Sequence, residues 1–464
     1  MLPLAFATVA ALGASMTEAP ARPVEVDLAA PAELLTNTTF VEDLAIGEHT
    51  VWVATRGGIE VYDRTTLGRR QVLTTREGLA SNAVWHLHRD GAALFARSDR
   101  ALCRSPNADV ASGGAEDGSA GARFSCRNQA PRPLDSPAAA PALEGARVTV
   151  TRLLVGAGEL VGTAGRGLWL RQGGGALRPL TSGGQICSNH MVAIAAWKGR
   201  TWFGSFDEGL CSRQGERFLS AAVPFRMVND LAATADGLYV ASSDGLWLTS
   251  DGERFERVAA VRERVITDLS YDEARHTLYA TAANSLWRIP VGRSGRRQSI
   301  AAFYRPGGTR SLQAVEARDG AVWMAAEDRG AIRFAAGGFQ VLDRAAGLPS
   351  SWGLDVAIAT GGGAGGGVYL ASLRDGLVRV DGNGSVHAVA GLPNPWLLHV
   401  SADSLADSTT GGALWVGTQG GAARLLGDGT VIAIGGLPDP RVHAVARIGA
   451  DVWVATEAGT AIYR

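Results

Sequence analysis

Lysine is almost absent from this sequence: of 44 basic residues only Lys198 is a lysine, and the rest are arginine. With 60 glycines and abundant alanine, this looks like the codon bias of a G+C-rich genome, which bears on origin and not on function. An excess of charge is absent too. The basic residues face 45 acidic ones, so the chain lacks the electrostatic footprint of a nucleic-acid binder. No strongly periodic helical stretch occurs, and after the first residues no run reaches the roughly 18 apolar residues of a membrane span. Nucleophile elbow, phosphate loop and paired carboxylates are missing as well. Cysteine is scarce: Cys103, Cys126, Cys187 and Cys211 have neither zinc-site nor CxxC spacing. No cofactor and no metal is therefore expected.

What is present suits an exported all-β protein. Leu2 to Ala14 form an apolar run of secretory length, and Ala19-Pro20-Ala21 offers a small-x-small cleavage signal. Residues 1–21 are expected to be a signal peptide, although their n-region carries no Lys or Arg; a frayed hydrophobic terminus is the alternative. The mature chain, 22–464, is then periplasmic or secreted, with no membrane span after cleavage. The cysteines form two local pairs, Cys103 with Cys126 and Cys187 with Cys211, which an oxidising compartment would join as disulfides. Four buried thiols in a reduced cytosol are the alternative.

One unit recurs along the chain: apolar, aromatic, apolar, small, hydroxyl, turn residues, glycine, apolar. Clear copies are Val51-Trp52-Val53-Ala54-Thr55 before Gly58, Trp202-Phe203-Gly204-Ser205 before Gly209, Trp415-Val416-Gly417-Thr418 before Gly421 and Trp453-Val454-Ala455-Thr456 before Gly459. Weaker copies raise the total to about ten, at a period near 40 with one longer gap, which is the signature of a four-stranded propeller blade. The gap holds a Gly, Ala, Ser and Pro-rich insertion at about 105–145, broken by a strand around Cys126 that would lie beside Cys103. We name the strands of each blade A to D from the inside outwards. Bulk beside a small residue in strand B would interlock neighbouring blades. The last unit ends at Ile462-Tyr463-Arg464 without a strand D, whereas Pro23 to Leu28 is an alternating strand without a blade. The N-terminal strand should complete the last blade, and one ring of ten blades is the simplest topology. Two five-bladed rings are the alternative, with no linker near the middle to support them.

Between strands D and A lies a further signature: Gly78-Leu79-Ala80-Ser81-Asn82, Gly347-Leu348-Pro349-Ser350, Gly391-Leu392-Pro393-Asn394 and Gly436-Leu437-Pro438-Asp439. With the Trp-Val-Gly-Thr type of strand B, this resembles the two-component regulator propeller repeat of periplasmic sensor regions and related stand-alone exported proteins. The resemblance implies binding of an oligosaccharide or another extracytoplasmic ligand, in a stand-alone form without a kinase.

Counted from the glycine of that loop, the sixth and ninth following positions are apolar and belong to the core. The fifth varies freely and includes Phe40, His190, Trp352, Trp396 and Arg441. Two tryptophans and a guanidinium on consecutive blades can stack on a sugar or clamp an anionic group; the bland reading is that they cover the rim of the core. The eighth position contributes Asp43, His86, Arg152, Asp230, Asp268, Asp355 and His399, which are expected to point toward the channel. Trp352, Trp396, Arg441, His190, Phe40, Asp355 and His399 are thus the candidate ligand-binding residues, and no residue is assigned as catalytic. The expected function is non-catalytic binding of a carbohydrate, peptide or partner protein by a monomer acting as sensor or scaffold. A propeller lyase or glycan-active hydrolase, with Asp355, His399, Asp43 and His86 converging on the central mouth, is the alternative; an envelope assembly protein without a pocket is the third.

Overall fold

A computed structural model describes residues 26–109, 122–129, 142–143, 146–154, 158–173, 175–180, 186–292, 311–335, 338–359, 367–403 and 414–464. The expected signal peptide and most of the 105–145 insertion lie outside these residues. Among them the chain is all-β, in ten antiparallel sheets: eight of four strands, one of five and one of three. Blade 1 sets the pattern with strands Val41–Ile46, Thr50–Thr55, Gly58–Asp63 and Arg69–Leu73. Both expected disulfides are present, Cys103–Cys126 and Cys187–Cys211.

The repeat motif is explained by its hydrogen bonds. In strand B of blade 1, the Thr55 hydroxyl accepts from Gly57 N at 3.0 Å and donates to Gly58 O at 2.7 Å. Gly58 sits at φ 125°, a conformation that side chains with a Cβ rarely adopt. Thr418 and Thr456 close their turns in the same way. The small residue two places after the aromatic also has a packing reason. A Cβ on Gly204 would fall 2.4 Å from Val228 of the next blade, so the strand B glycine is the seat for the neighbour's inner strand. Trp52, Trp202, Trp415 and Trp453 are buried between blades.

Inner strand A carries a bulge in nine blades, for example between Val228 and Asp230 against Ser242 and Ala241. One extra residue shifts the side-chain phase, which is why positions three apart, the sixth and ninth, share the core face. The eighth is turned to the other face.

An N-terminal strand completes the last blade: Glu33–Leu35 pairs antiparallel with Gly459–Tyr463. It lies downstream of the expected Pro23 to Leu28 segment, of which Val26 and Leu28 instead pack against Trp415 and Tyr463. The order of packing differs from the expected single ring of ten. Strands A and B of blade 10, Val442–Ile448 and Asp451–Thr456, pack on strand A of blade 4, Met191–Trp197. Leu35, Trp453 and Ile462 share one core with Met191 and Phe203, and Arg213 of blade 4 grips Glu33 of the closing strand at 3.0 Å. Blades 4 to 10 therefore close on themselves, seven in number, around a channel lined by their seven inner strands. Blades 1 to 3 are inserted between the closing strand and blade 4. There Gly162 of blade 3 seats Val41 of blade 1, and blade 1 packs in turn on blade 2. The physical reason is size: propellers ordinarily use roughly four to eight blades, and the inner strands of ten would leave an axis too wide for their side chains to fill.

The insert is bonded to the ring. Ser81 donates to Asp439 at 2.6 Å, Asn82 N donates to Pro438 O at 2.8 Å, and Asn37 and Asn189 exchange backbone-to-amide bonds at 2.6 Å each. On blades 9 and 10, buried Asp403 binds Arg424 at 2.9 Å and Arg447 at 2.8 Å, and both guanidiniums lie over Trp415. Removing that carboxylate strands two cations in the interior, a loss of about 3 kcal/mol or more. Asp403→Ala should show it in urea unfolding; a change under about 1 kcal/mol would contradict this role.

Candidate functional site

The loop between strands D and A presents the variable fifth residue by a local device. The side chain at the third position accepts the backbone N–H of the fifth: Ser350 from Trp352 at 3.1 Å, Asn394 from Trp396 at 2.8 Å, Asp439 from Arg441 at 2.9 Å, Ser188 from His190 at 3.0 Å. The turn is thereby held while the fifth side chain is left free of the ladder. In ring order these residues belong to blades 8, 9, 10 and 4, so the candidates line consecutive stretches of one rim.

Trp352 and Trp396 are 40% and 38% exposed, unlike the buried tryptophans of strand B. Trp352 lines a recess of about 440 Å³ with Arg344, Ser350, Leu373, Arg374 and Asp375. Arg374 reaches from this recess over Trp396, its guanidinium carbon 4.9 Å from the ring centroid. Trp352 and Trp396 are thus linked through a cation that sequence reading missed, because Arg374 belongs to the strand B to C turn and to no repeat position.

Phe40, His190 and Arg441 meet elsewhere, in a cavity of about 380 Å³ at the seam between insert and ring. Arg56 lies 3.6 Å over Phe40 and 5.1 Å from Trp85, and its Nε donates to Glu42 at 2.8 Å. Arg441 is fully engaged, with Asp439 and Asp99 each at 3.0 Å and Glu457 at 2.9 Å. It ties blade 10 to blade 2 and so acts as a clamp. His190 stacks on Phe206 at 4.8 Å and lies 4.9 Å from His443. Burial, and then His443, hold its pKa below the usual imidazole value, so it is neutral at neutral pH.

Asp355 and His399 form a third group, inside the channel of about 1110 Å³. The eighth-position acids share one task. Asp230 accepts from Leu269 N at 3.1 Å, Asp268 from Val315 N at 2.7 Å, Asp355 from Val400 N at 2.8 Å and Asp43 from Leu87 N at 3.0 Å. Each carboxylate staples its own inner strand to that of the following blade. His399 lies 3.1 Å from Asp355, and His86 2.5 Å from Asp43. Burial disfavours a charged His399, but the Asp355 carboxylate outweighs it and raises the imidazole pKa. Burial pushes Asp230 up to about 6, and burial, with the Asp230 charge beside it, holds Asp268 well above the usual carboxylate range. Glu316, bonded to Ser270 at 3.1 Å, is pushed up to about 7, again mainly by burial. Among the described residues no group of three or more His, Cys, Asp or Glu is arranged to hold a metal ion.

Asp381 to Ser385 and Thr249 to Gly252, both rich in side-chain oxygen, form turns. Asp381 N donates to Ser385 O at 3.0 Å, closing a hairpin, and Asp251 accepts from Glu253 N and Arg254 N at 2.8 and 2.9 Å.

No protein-family model matches the chain, and no curated protein matches it. Among solved structures it is similar to the extracellular domain of BT4673 of B. thetaiotaomicron, described as a one component system (12% identity, TM-score 0.46, 91% of this chain and 70% of that one). It is also similar to the extracellular domain of the hybrid two component system BT3049 of the same organism (12% identity, TM-score 0.49, 91% and 56%). A third is PorZ, a surface component of the type-IX secretion system of Porphyromonas gingivalis (13% identity, TM-score 0.49, 91% and 62%). The chain spans less than two thirds of the latter two.

Glu316 yields a pH prediction. Unfolded, it ionises near 4.5; folded, it keeps its proton up to about 7, so unfolding releases a proton between these values and stability falls as pH rises through that window. Glu316→Gln keeps a partner for Ser270 without the charge. The variant's melting temperature relative to the native chain should rise between about pH 5 and about pH 8. A difference independent of pH would contradict the assignment.

Proposed function

We propose that this chain is an exported, non-catalytic propeller that binds a saccharide chain across the rim of blades 8 and 9, as the ligand-binding part of a sensor or scaffold. The observation that carries this reading is the row Trp352, Arg374, Trp396: two exposed indoles on consecutive blades with a guanidinium between them. Large aromatic faces left open are what the apolar faces of sugar rings stack on, and neighbouring platforms suit an extended ligand. The two disulfides support export, since such bonds persist in oxidising compartments.

The enzyme reading has an observation of its own, the Asp355–His399 pair at 3.1 Å. Yet Asp355 accepts two backbone N–H groups, from Val356 and Val400, both at 2.8 Å, and Asp43, Asp230 and Asp268 repeat the bond to the following blade. A carboxylate used in this way at four joints is accounted for by assembly, and binding is the better supported function.

The test is calorimetry and thermal shift of the mature chain against oligosaccharide and peptide panels, since a ligand of the folded state raises its melting temperature. Trp352→Ala and Trp396→Ala should each weaken a bound oligosaccharide about tenfold, the loss of one stacking platform. Unchanged affinity in both variants, or binding of peptides alone, would overturn the proposal.

A further inference from the structure

The charge of the blade 8 recess separates it from the rest of the rim. Four rim arginines are neutralised in place: Arg56 by Glu42 at 2.8 Å, Arg226 by Glu208 at 3.1 Å, Arg264 by Asp244 at 3.0 Å, and Arg441 by three carboxylates. In blades 4 and 5 the pairing follows a rule. The acid just before the strand C glycine, Glu208 or Asp244, binds the arginine at the fourth position of the following loop, Arg226 or Arg264. In blade 8 the acid is Asp375, but Pro395 stands where the arginine would be.

Arg344 and Arg374 both line the recess of Trp352, and among the described residues neither is paired with a carboxylate. Arg344 projects from the short 3-10 turn Arg344–Ala346, whose N-cap Asp343 is occupied by the Ala345 N–H. Asp375 takes a long contact from Ser372 at 3.5 Å. Two guanidiniums thus face one carboxylate, beside an open indole. The face of Trp396 orients Arg374 without cancelling its charge.

We infer that the saccharide bound on this rim is anionic, with a carboxylate or sulfate taken between Arg344 and Arg374 while its ring stacks on Trp352 or Trp396. This rests on the proposed saccharide binding and specifies its ligand. The guanidinium fork matches both anions in bidentate geometry, and a pyranose bearing an acidic substituent offers an apolar face and a charge within one residue. A neutral glycan would leave the recess with two cations against the single Asp375 carboxylate.

The experiment compares four probes by calorimetry on the full mature chain: an oligogalacturonate, its methyl ester of equal length, a sulfated galactan oligosaccharide and a neutral galactan oligosaccharide. The expected result is that an acidic probe binds about tenfold or more tightly than its uncharged counterpart, as charge-assisted bonds require. The preference should fall with added salt and vanish in the double variant Arg344→Gln, Arg374→Gln, whose melting temperature should stay close to that of the native chain because neither residue forms an ion pair among the described residues and Arg374 only overlies the half-exposed Trp396. Preference confined to the carboxylate pair or to the sulfate pair supports the inference and identifies the anion. Equal binding of charged and neutral probes overturns it and leaves saccharide binding standing. Binding of none of the four, with peptides bound instead, overturns both.

Discussion

The contact on which the rest of this structure depends is the closure of blade 10 on blade 4. Leu35, Trp453 and Ile462 meet Met191 and Phe203 in one core, and Arg213 reaches across to Glu33 while its guanidinium also lies 5.6 Å from Trp453. The closing strand is thus held by backbone pairing to its own blade and by an ion pair to the next. From this closure follow the seven-stranded lining of the channel, the adjacency of blades 10 and 4 along the rim, and the seam in which Phe40 meets His190. Without it, His190 and Arg441 would belong to distant parts of a wider ring.

Within the ring each position of the repeat has a separate physical task. The sixth and ninth fill the core, brought into phase by a bulge; the eighth joins inner strands through carboxylates; the third holds the turn; the fifth is left over. Function is read where packing makes no demand. That logic favours the rim over the channel, although the channel is larger and holds the carboxylic acids that burial shifts upward, Asp230, Asp268 and Glu316. Asp230, Asp268 and Asp355 have work to do in assembly, whereas Trp352 and Trp396 have exposed faces that assembly does not use.

The fold was legible wherever one residue suffices to state a constraint. Trp52 or Trp415 beside a small residue, Thr55 before Gly58, and Cys103 near Cys126 each name their neighbour locally, and the structure contains those arrangements. Which blade follows which was not legible, because every interface uses the same chemistry. Val41 seats over Gly162 of blade 3 as Val228 seats over Gly204 of blade 4, and nothing in either valine distinguishes a return to blade 1 from continuation to the next blade. Of the candidate site, the fifth position was visible as a lapse in periodicity. Arg374 and Arg344 were not, since turn residues outside the repeat register acquire meaning only when two blades bring them together.

The closure is the claim most directly open to measurement. With Arg213→Lys, the amine would face the Glu33 carboxylate that the native guanidinium reaches at 3.0 Å, and a carbodiimide should couple the two. Peptide mass spectrometry is expected to recover a link between residues 33 and 213 in the folded protein and to lose it on denaturation. Failure to couple residues 33 and 213 in the folded protein, with the Glu33 carboxylate modified instead by an added small amine, would mean that blade 10 does not abut blade 4 and would contradict the seven-bladed ring.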